Sequence, residues 1–434
     1  MWFPADSKDI TMRVLLISAN TEQINMPVLP LGLGCIARAV QDAGHEVQVI
    51  NLMSREDIVH VIEDSIQEFA PEVIGISVRN IDDQVMGAPR FLLDPVKDII
   101  TFCRHLTDAP IVIGGAGYSI FPDSALEYLG ADMGIQGEGE KAFTLLLDSL
   151  HDKKALSNIP GLYLPGKGLQ GKRAFTKRLD ECPIPLPGEH LPRLQGPQVW
   201  VPFQTRRGCP MQCTYCSTSL IEGEVIRRRD PAYAVKMLSS YKKAGLDHFF
   251  FVDNTFNLPS NYAKALCDQI IEQKLNISWR CILYPWKIDE ELIAKMAAAG
   301  CVEVSLGFES GSAEILRRFN KRFAPDDVRR ISKMLHSYRI RRTGFLLLGG
   351  PGETRDTVRE SLDFADEMDL EYMKITQGIR IYPQTPLALQ SVREGIIDND
   401  DTLLFPAFYM VKDLGPWIEE TTAAWLKHHP DWNL

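Results

Sequence analysis

Hydrophobic positions along the first 150 residues fall into short β-branched runs: RVLLISA at 13–19, VQVIN at 47–51, VIGISV at 73–78, IVIGG at 111–115 and ADMGIQ at 131–136. Between them lie stretches with helical spacing, among them GLGCIARAVQDAG at 32–44 and VHVIEDSIQEFA at 59–70. Apolar runs alternating with helix-length crossovers predict a parallel sheet covered on both faces. The expectation for 1–150 is a five-stranded, doubly wound, Rossmann-like α/β domain. From 151 to 198 the alternation lapses into IPGLYLPGKGLQGKR and CPIPLPGEHLPRLQGP, whose Pro and Gly content reads as a linker lying along a surface. It resumes at 199, with strands near 199–206, 248–253, 277–283, 302–307, 343–348 and 372–378 and helices near 231–244, 259–274, 289–299, 325–338 and 355–369. Six such units returning the same way predict a partial (β/α)6 TIM-type barrel over 199–385, with its chemistry at the C-terminal strand ends. The remaining 386–434, with LLFPAFYMV at 403–411 and tryptophans at 417, 425 and 432, reads as a segment that helps close the barrel. Its aromatic character fits a lid over a hydrophobic substrate as well as plain packing.

Composition narrows the function classes. A length of 434 residues with 45% hydrophobic content supports two or three cored domains. A net charge of −10 argues against affinity built on phosphate neutralisation, so no nucleic-acid partner is expected. No apolar run approaches the ~20 residues of a membrane span, and MWFPADSKDITMR lacks the apolar core of a signal peptide, so the expected location is cytoplasmic. Nine cysteines without secretory features imply reduced thiols.

Three of those cysteines crowd together in TRRGCPMQCTYCSTS, directly after the first barrel strand. Cys209, Cys213 and Cys216 can hold three irons of a [4Fe–4S] cluster and leave the fourth open to another ligand. A zinc site would want a fourth Cys or His close by. None lies near, and Cys267 and Cys281 fall in helix- and strand-like patterns where a small apolar thiol is ordinary.

The spacing C-x-x-x-C-x-aromatic-C, with Tyr215 as the aromatic residue, resembles the signature of the radical S-adenosylmethionine (SAM) superfamily. The resemblance implies that SAM chelates the open iron through its methionine group and is cleaved to a 5′-deoxyadenosyl radical by an electron from an external flavodoxin- or ferredoxin-type donor. It implies SAM contacts from Asp253 and Asn254 in FFFVDNTFN, and from Glu309 and Ser310 in SLGFESGS. It also implies contacts near the adenine from Gly349 in GFLLLGGPGET and from the backbone at Ile381 and Tyr382 in ITQGIRIYPQTPL. Asp, Asn and Ser at such junctions also serve as ordinary caps and turns. Arg206, Arg207 and Arg280 could reach a carboxylate or phosphate, or simply pair with acidic neighbours.

In a doubly wound domain the ligand edge is the C-terminal end of the sheet. Here that edge carries SANTE, SVRNIDD, GGAGYS and QGEGEKA, all small and polar. These loops with PLGLGCIARAVQDAGHEV, set before such a barrel, resemble the cobalamin-dependent subclass of the superfamily over residues 1–390. The resemblance implies a cobalamin site made by Ser18, Asn20, Leu31, Gly32, Ser77, Val78, Arg79, Asn80, Gly114, Gly115, Gly137 and Glu138. One departure concerns the methionine-synthase type of domain, which supplies an axial histidine from D-x-H-x-x-G. The corresponding region reads NTEQINMPVLPLGLG and contains no histidine, which is usual within the subclass and leaves the lower cobalt ligand open.

The implied reaction is methylation of an unactivated carbon of a small metabolite, hydrophobic if the lid reading holds. SAM would methylate the cobalamin and a second SAM would supply the radical. Cyclisation, rearrangement or oxygen insertion on a lipid or tetrapyrrole-like substrate uses the same cofactors, and a non-catalytic sensor of cobalamin or the cluster is a further alternative. A methylthiotransferase-like enzyme without cobalamin would want extra cluster ligands near the N-terminus, where Cys35 and Cys103 do not make a set of three.

Overall fold

The computed structural model describes residues 11–22, 29–53, 57–191 and 200–432. The signal-peptide reading of the first residues, the middle of NTEQINMPVLPLGLG, and the expected linker end and strand start at 192–199 lie outside the described residues. Two compact units emerge: Met1–Asp83 with Phe91–Val199 and Leu220–Glu222, and Gln84–Arg90 with Trp200–Ser219 and Gly223–Leu434.

In the first unit the expected strands form as β1 (Arg13–Ser18), β2 (Glu46–Asn51), β3 (Val73–Ser77), β4 (Ile111–Gly114) and β5 (Met133–Ile135), all mutually parallel. Their crossovers are α1 (Leu31–Asp42), α2 (Ile58–Phe69), α3 (Leu93–Leu106), α4 (Ala116–Ile120) and α5 (Pro122–Leu129), and α6 (Gly139–His151) follows β5. β1 carries apolar residues on both sides, and Val14, Leu15, Leu16 and Ile17 are each no more than 1% exposed. α1 packs with α6, and α3 with α2 and α5.

The sheet has seven strands, not five, in the order β2-β1-β3-β4-β5-β6-β7. The extra pair, β6 (Leu162–Leu164) and β7 (Gly168–Leu169), comes from the stretch expected to be a linker and runs antiparallel. Gly166 and Gly168 take φ of 68° and 62°, which lets LYLPGKGL turn back on itself and cover the edge of β5.

The second unit holds a six-stranded parallel sheet in sequential order. β8 (Val201–Phe203) leads into the two-residue β9 (Arg206–Arg207), the short α7 (Thr218–Glu222) and β10 (Arg227–Arg228), which pairs back on β9. Then come α8 (Pro231–Lys243), β11 (His248–Phe251), α9 (Ser260–Glu272), β12 (Ser278–Leu283), α10 (Glu290–Ala298) and β13 (Cys301–Glu309). After α11 (Ala313–Arg318) follow α12 (Pro325–Ser337), β14 (Arg341–Leu348), α13 (Arg355–Met368) and β15 (Tyr372–Gln377). Asp230, Asp289 and Thr354 cap α8, α10 and α13 by accepting backbone N–H bonds, which sets where each helix begins after its loop.

The chain ends with β16 (Ile379–Arg380), α14 (Pro386–Arg393), β17 (Phe408–Tyr409) and α15 (Gly415–Leu426). α15 takes part in the packing around the sheet. It packs against α13 and β15, and Trp425 Nε1 donates to Asp366 on α13 at 3.1 Å. The part around β17 reaches the strand ends, where it pairs with β16 and Met410 lies against Gly349, and Thr422 of α15 accepts from Gln377 at the end of β15. No helix among the described residues is long and apolar enough to cross a membrane.

Candidate active site

The cysteine loop is closed at its base by the β9–β10 ladder. Gly208 has φ 92°, and a Cβ there would stand 2.1 Å from the Val225 carbonyl oxygen, so the turn into Cys209 needs glycine. Cys209 N donates to Gly223 O at 3.0 Å, and Cys216 N to Cys213 O at 3.1 Å. All three thiols are partly exposed. Among the described residues no three Cys, His, Asp or Glu side chains converge as if round a single metal ion. The thiols are nonetheless close enough to influence one another: burial pushes the Cys213 thiol up to about 11, opposed by Lys321 and reinforced by Cys216, Glu309 and Cys209.

The second support of this loop has no counterpart in the sequence reading. Residues 319–322, which follow α11, lace it from the other side. Phe319 O accepts from Thr214 N at 3.2 Å, Asn320 Nδ2 donates to Gln212 O at 2.8 Å, and Arg322 Nη2 donates to Pro210 O at 3.1 Å. Lys321, 4% exposed, pairs with Glu309 at 3.2 Å and lies over the rings of Tyr215, Tyr284 and Phe323. Glu309 reaches it from the end of β13, where the register against β14 slips and Glu309 itself takes φ 68°. Such a bulge re-aims a strand-end side chain. Lys321 escaped notice because nothing local marks it. Its partners lie 12 and 106 residues away in the sequence (321 − 309 and 321 − 215).

Other expected SAM contacts are engaged elsewhere. Asp253 is fully buried: Oδ1 accepts from Thr205 N at 2.7 Å and Arg206 N at 2.9 Å, and Oδ2 accepts from Thr205 Oγ1 at 2.6 Å. Arg206, 3% exposed, lies 3.5 Å from the same carboxylate and donates to the carbonyls of Thr255, Phe256 and Leu258. Asp253 therefore pins the root of the cysteine loop to the second strand and has no oxygen turned to a ligand. Ser310, also fully buried, bonds Ser361 Oγ at 2.9 Å and Ser312 N at 3.1 Å. Ile381 donates its N–H to Ala407 O and accepts from Arg380 Nη1 at its carbonyl. Tyr382 accepts Thr385 Oγ1 at its carbonyl and packs its ring under Arg380. Asn254 remains partly exposed at the strand end. Arg207 bonds Gln204 Oε1 at 2.9 Å, and Arg280 pairs with Glu303 at 3.7 Å between Trp200 and Phe250.

At the end of β14, Gly349 takes φ 93°, and its N–H and that of Gly350 both donate to Glu353 Oε2. Glu353 Oε1 is buried without a partner, and burial raises the carboxyl from 4.5 to about 7 despite those two donors. The folded state thus keeps a proton that the unfolded chain releases between these values. The unfolding free energy should therefore fall by roughly 3 kcal/mol as pH rises through that interval, then level off. Denaturant midpoints across the interval test this, and Glu353→Gln, which still offers an acceptor to both amides, should flatten the slope.

In the first unit the strand order reverses between β1 and β3, and a shallow pocket opens there. Ala19–Glu22 after β1, Ser77–Asn80 after β3, and Leu92, Pro95 and Val96 line it. Asn20, Ser77, Val78, Arg79 and Asn80 of the expected cobalamin set are thus brought together, with no histidine among the lining residues. Burial lowers the Arg79 guanidinium below its usual range, and no described residue pairs with it. Gly115 backs the pocket: with φ 105°, a Cβ there would stand 2.6 Å from Val78 O. Ser119 Oγ donates to Gly115 O and accepts from Gly137 N, which ties the β4 and β5 ends together. Gly114 ends β4, Leu31 and Gly32 open α1, and Glu138 Oε2 accepts from Thr176 N. Ser18 is 4% exposed and lies beneath this edge.

Comparison with known proteins decides what the two sites belong to. The radical SAM superfamily model matches residues 204–365, and the B12 binding domain model matches residues 17–147. The chain is a cobalamin-dependent radical SAM enzyme. An uncharacterized methyltransferase of Pyrococcus horikoshii is 28% identical over 390 residues, covering 87% of this chain and 82% of that one. The tryptophan 2-C-methyltransferase of Streptomyces laurentii is 24% identical, covering 85% and 73%. Among solved structures, the radical SAM methyltransferase TsrM from Kitasatospora setae, with cobalamin and a [4Fe–4S] cluster bound, matches with a TM-score of 0.85 at 22% identity, covering 98% of this chain and 91% of that one. The enzyme thus falls in the cobalamin-dependent radical SAM methyltransferase family, and its cofactors are a [4Fe–4S] cluster, SAM and cobalamin.

Proposed function

We propose that this enzyme transfers a methyl group from SAM to a carbon of a small organic substrate, using Cys209, Cys213 and Cys216 as the cluster ligands. The observation that carries the reading is the three thiols held on one short loop after the first strand of the sheet, with Tyr215 among them and Glu309 at the end of β13, in a chain that also builds the β1/β3 pocket. Their donor set fits the cluster: three thiolates with no fourth Cys or His suit a site left open at one iron. The glycine-backed, polar-edged lining of this pocket is compatible with one edge of a cobalamin, with Arg79 and Asn80 among the lining residues and no histidine. When bound, the cluster supplies the electron that opens SAM and cobalamin carries the methyl group. Asn254, partly exposed at the strand end, and Glu309 would orient SAM, while Asp253 and Ser310 are engaged internally. Gly349 and Gly350, with their amides held by Glu353, present a side-chain-free surface beside it. Relatives named for methylating tryptophan and cytidylyl-2-hydroxyethylphosphonate support a small, polar-bearing substrate over a lipid.

The test is an anaerobic reaction of the reconstituted enzyme with methyl-labelled SAM, a low-potential flavodoxin or ferredoxin, cobalamin and a metabolite extract, read by mass spectrometry. Label should appear in one small-molecule product and be absent with Cys209→Ala. Formation of 5′-deoxyadenosine with no labelled product sinks methyl transfer and leaves cyclisation or rearrangement.

A further inference from the structure

Lys321 stands beside the cysteine loop with its side chain only 4% exposed, so solvent screens it little. Its neighbours are the Glu309 carboxylate at 3.2 Å and the faces of Tyr215, Tyr284 and Phe323 at 5.4, 5.7 and 5.9 Å. Tyr215 lies between two of the three thiols in sequence, and its ring is wedged edge-on against Phe319 at 5.3 Å. The backbone carbonyl of Phe319 and the side chains of Asn320 and Arg322 bond the cysteine loop and so hold the segment that carries Lys321 at this place. A buried ammonium is costly and persists only where an opposing charge repays it. Glu309, 17% exposed, is one such charge. The ammonium also lies 5.4 Å from the ring of Tyr215, which stands between Cys213 and Cys216 in the cysteine loop.

We infer that Lys321 is a positioning residue that serves as the built-in counter-charge of the cluster, favouring its one-electron-reduced form, with Glu309 setting how much of that charge the cluster feels. This rests on the assignment of Cys209, Cys213 and Cys216 as ligands. Reduction takes one electron from an external low-potential donor and adds one negative charge among the three thiolates, with no bond made or broken in the protein. A fixed cation beside the site stabilises the product of that step more than its starting state. Being only 4% exposed, it does so with little dependence on salt.

The inference predicts opposite shifts from two neighbouring substitutions. Lys321→Met should lower the reduced-to-oxidised ratio at a given solution potential about tenfold, which for one electron is about 59 mV. Glu309→Gln, which leaves the ammonium uncompensated, should raise the ratio severalfold. Lys321→Arg keeps the charge and should stay within twofold of the unsubstituted enzyme. The measurement is a dye-mediated redox titration of the reconstituted full chain without SAM, followed by electron paramagnetic resonance of the reduced cluster. It is normalised to iron and sulfide content and done at low and high salt. A residue that only held the loop together would change cluster content in both variants without moving the two midpoints in opposite directions. If Lys321→Met fails to retain a cluster, Glu309→Gln decides alone, and an unchanged or lowered midpoint there overturns the inference. An unchanged midpoint in a cluster-loaded Lys321→Met does so too. An unsubstituted enzyme that assembles no [4Fe–4S] cluster would instead overturn the ligand assignment.

Discussion

Cys213→Ala is expected to yield a folded protein that assembles no [4Fe–4S] cluster and cleaves no SAM. The thiol contributes no hydrogen bond that orders the loop. The ordering bonds run through backbone at Thr214, Cys209 and Gln212 and survive the substitution. Stability should therefore change by less than about 1 kcal/mol, as for other sites without a buried network. Function should change by the whole catalytic enhancement, about a millionfold or more, because two thiolates cannot fix the cluster with one iron left open. Iron content, visible absorption and 5′-deoxyadenosine yield check the functional half, and a denaturant midpoint checks the structural half. Retention of a full cluster by Cys213→Ala would remove it from the ligand set.

Asp253→Ala is expected to show the reverse balance. Removing a fully buried carboxylate strands Thr205 N and Arg206 N without acceptors, and leaves the Arg206 guanidinium without its opposing charge. Losing one partner of a buried pair costs about 3–5 kcal/mol. The denaturation midpoint of the cofactor-free chain should fall accordingly, and cluster loading should fail because the root of the cysteine loop is no longer held to the second strand. Asp253→Asn keeps one acceptor oxygen and should fall in between. If Asp253 instead bound the amino group of SAM, its loss would raise the KM for SAM while leaving the stability of the cofactor-free protein unchanged. The two measurements separate these roles cleanly.

The contrast between these residues shows what a linear reading can carry. The strand and helix pattern was legible because burial on both faces of a parallel strand and on one stripe of each crossover helix leaves a periodic trace. The predicted helices at 231–244, 289–299 and 355–369 match α8, α10 and α13 to within a residue or two. The cysteine spacing was legible for the same reason: ligands on one short loop must be close in sequence. The hairpin of β6 and β7 was hidden because its two and three residues are too few to show a period, and its Pro and Gly content reads equally well as a linker. Asp253 and Ser310 were expected at the ligand because they occupy strand ends, but position along a strand does not determine which way a carboxylate or hydroxyl turns.

The sequence by itself determined the order of the elements, the two-unit plan and the spacing of the three thiols, since each depends on local spacing and on burial that local spacing records. Only the tertiary structure decided which charges share the site. It turned Asp253 inward to Arg206, joined Lys321 to Glu309 across the β13 bulge, and left Arg79 facing the β1/β3 pocket. Charges act through space, and their partners come from distant segments that meet only when the sheets close.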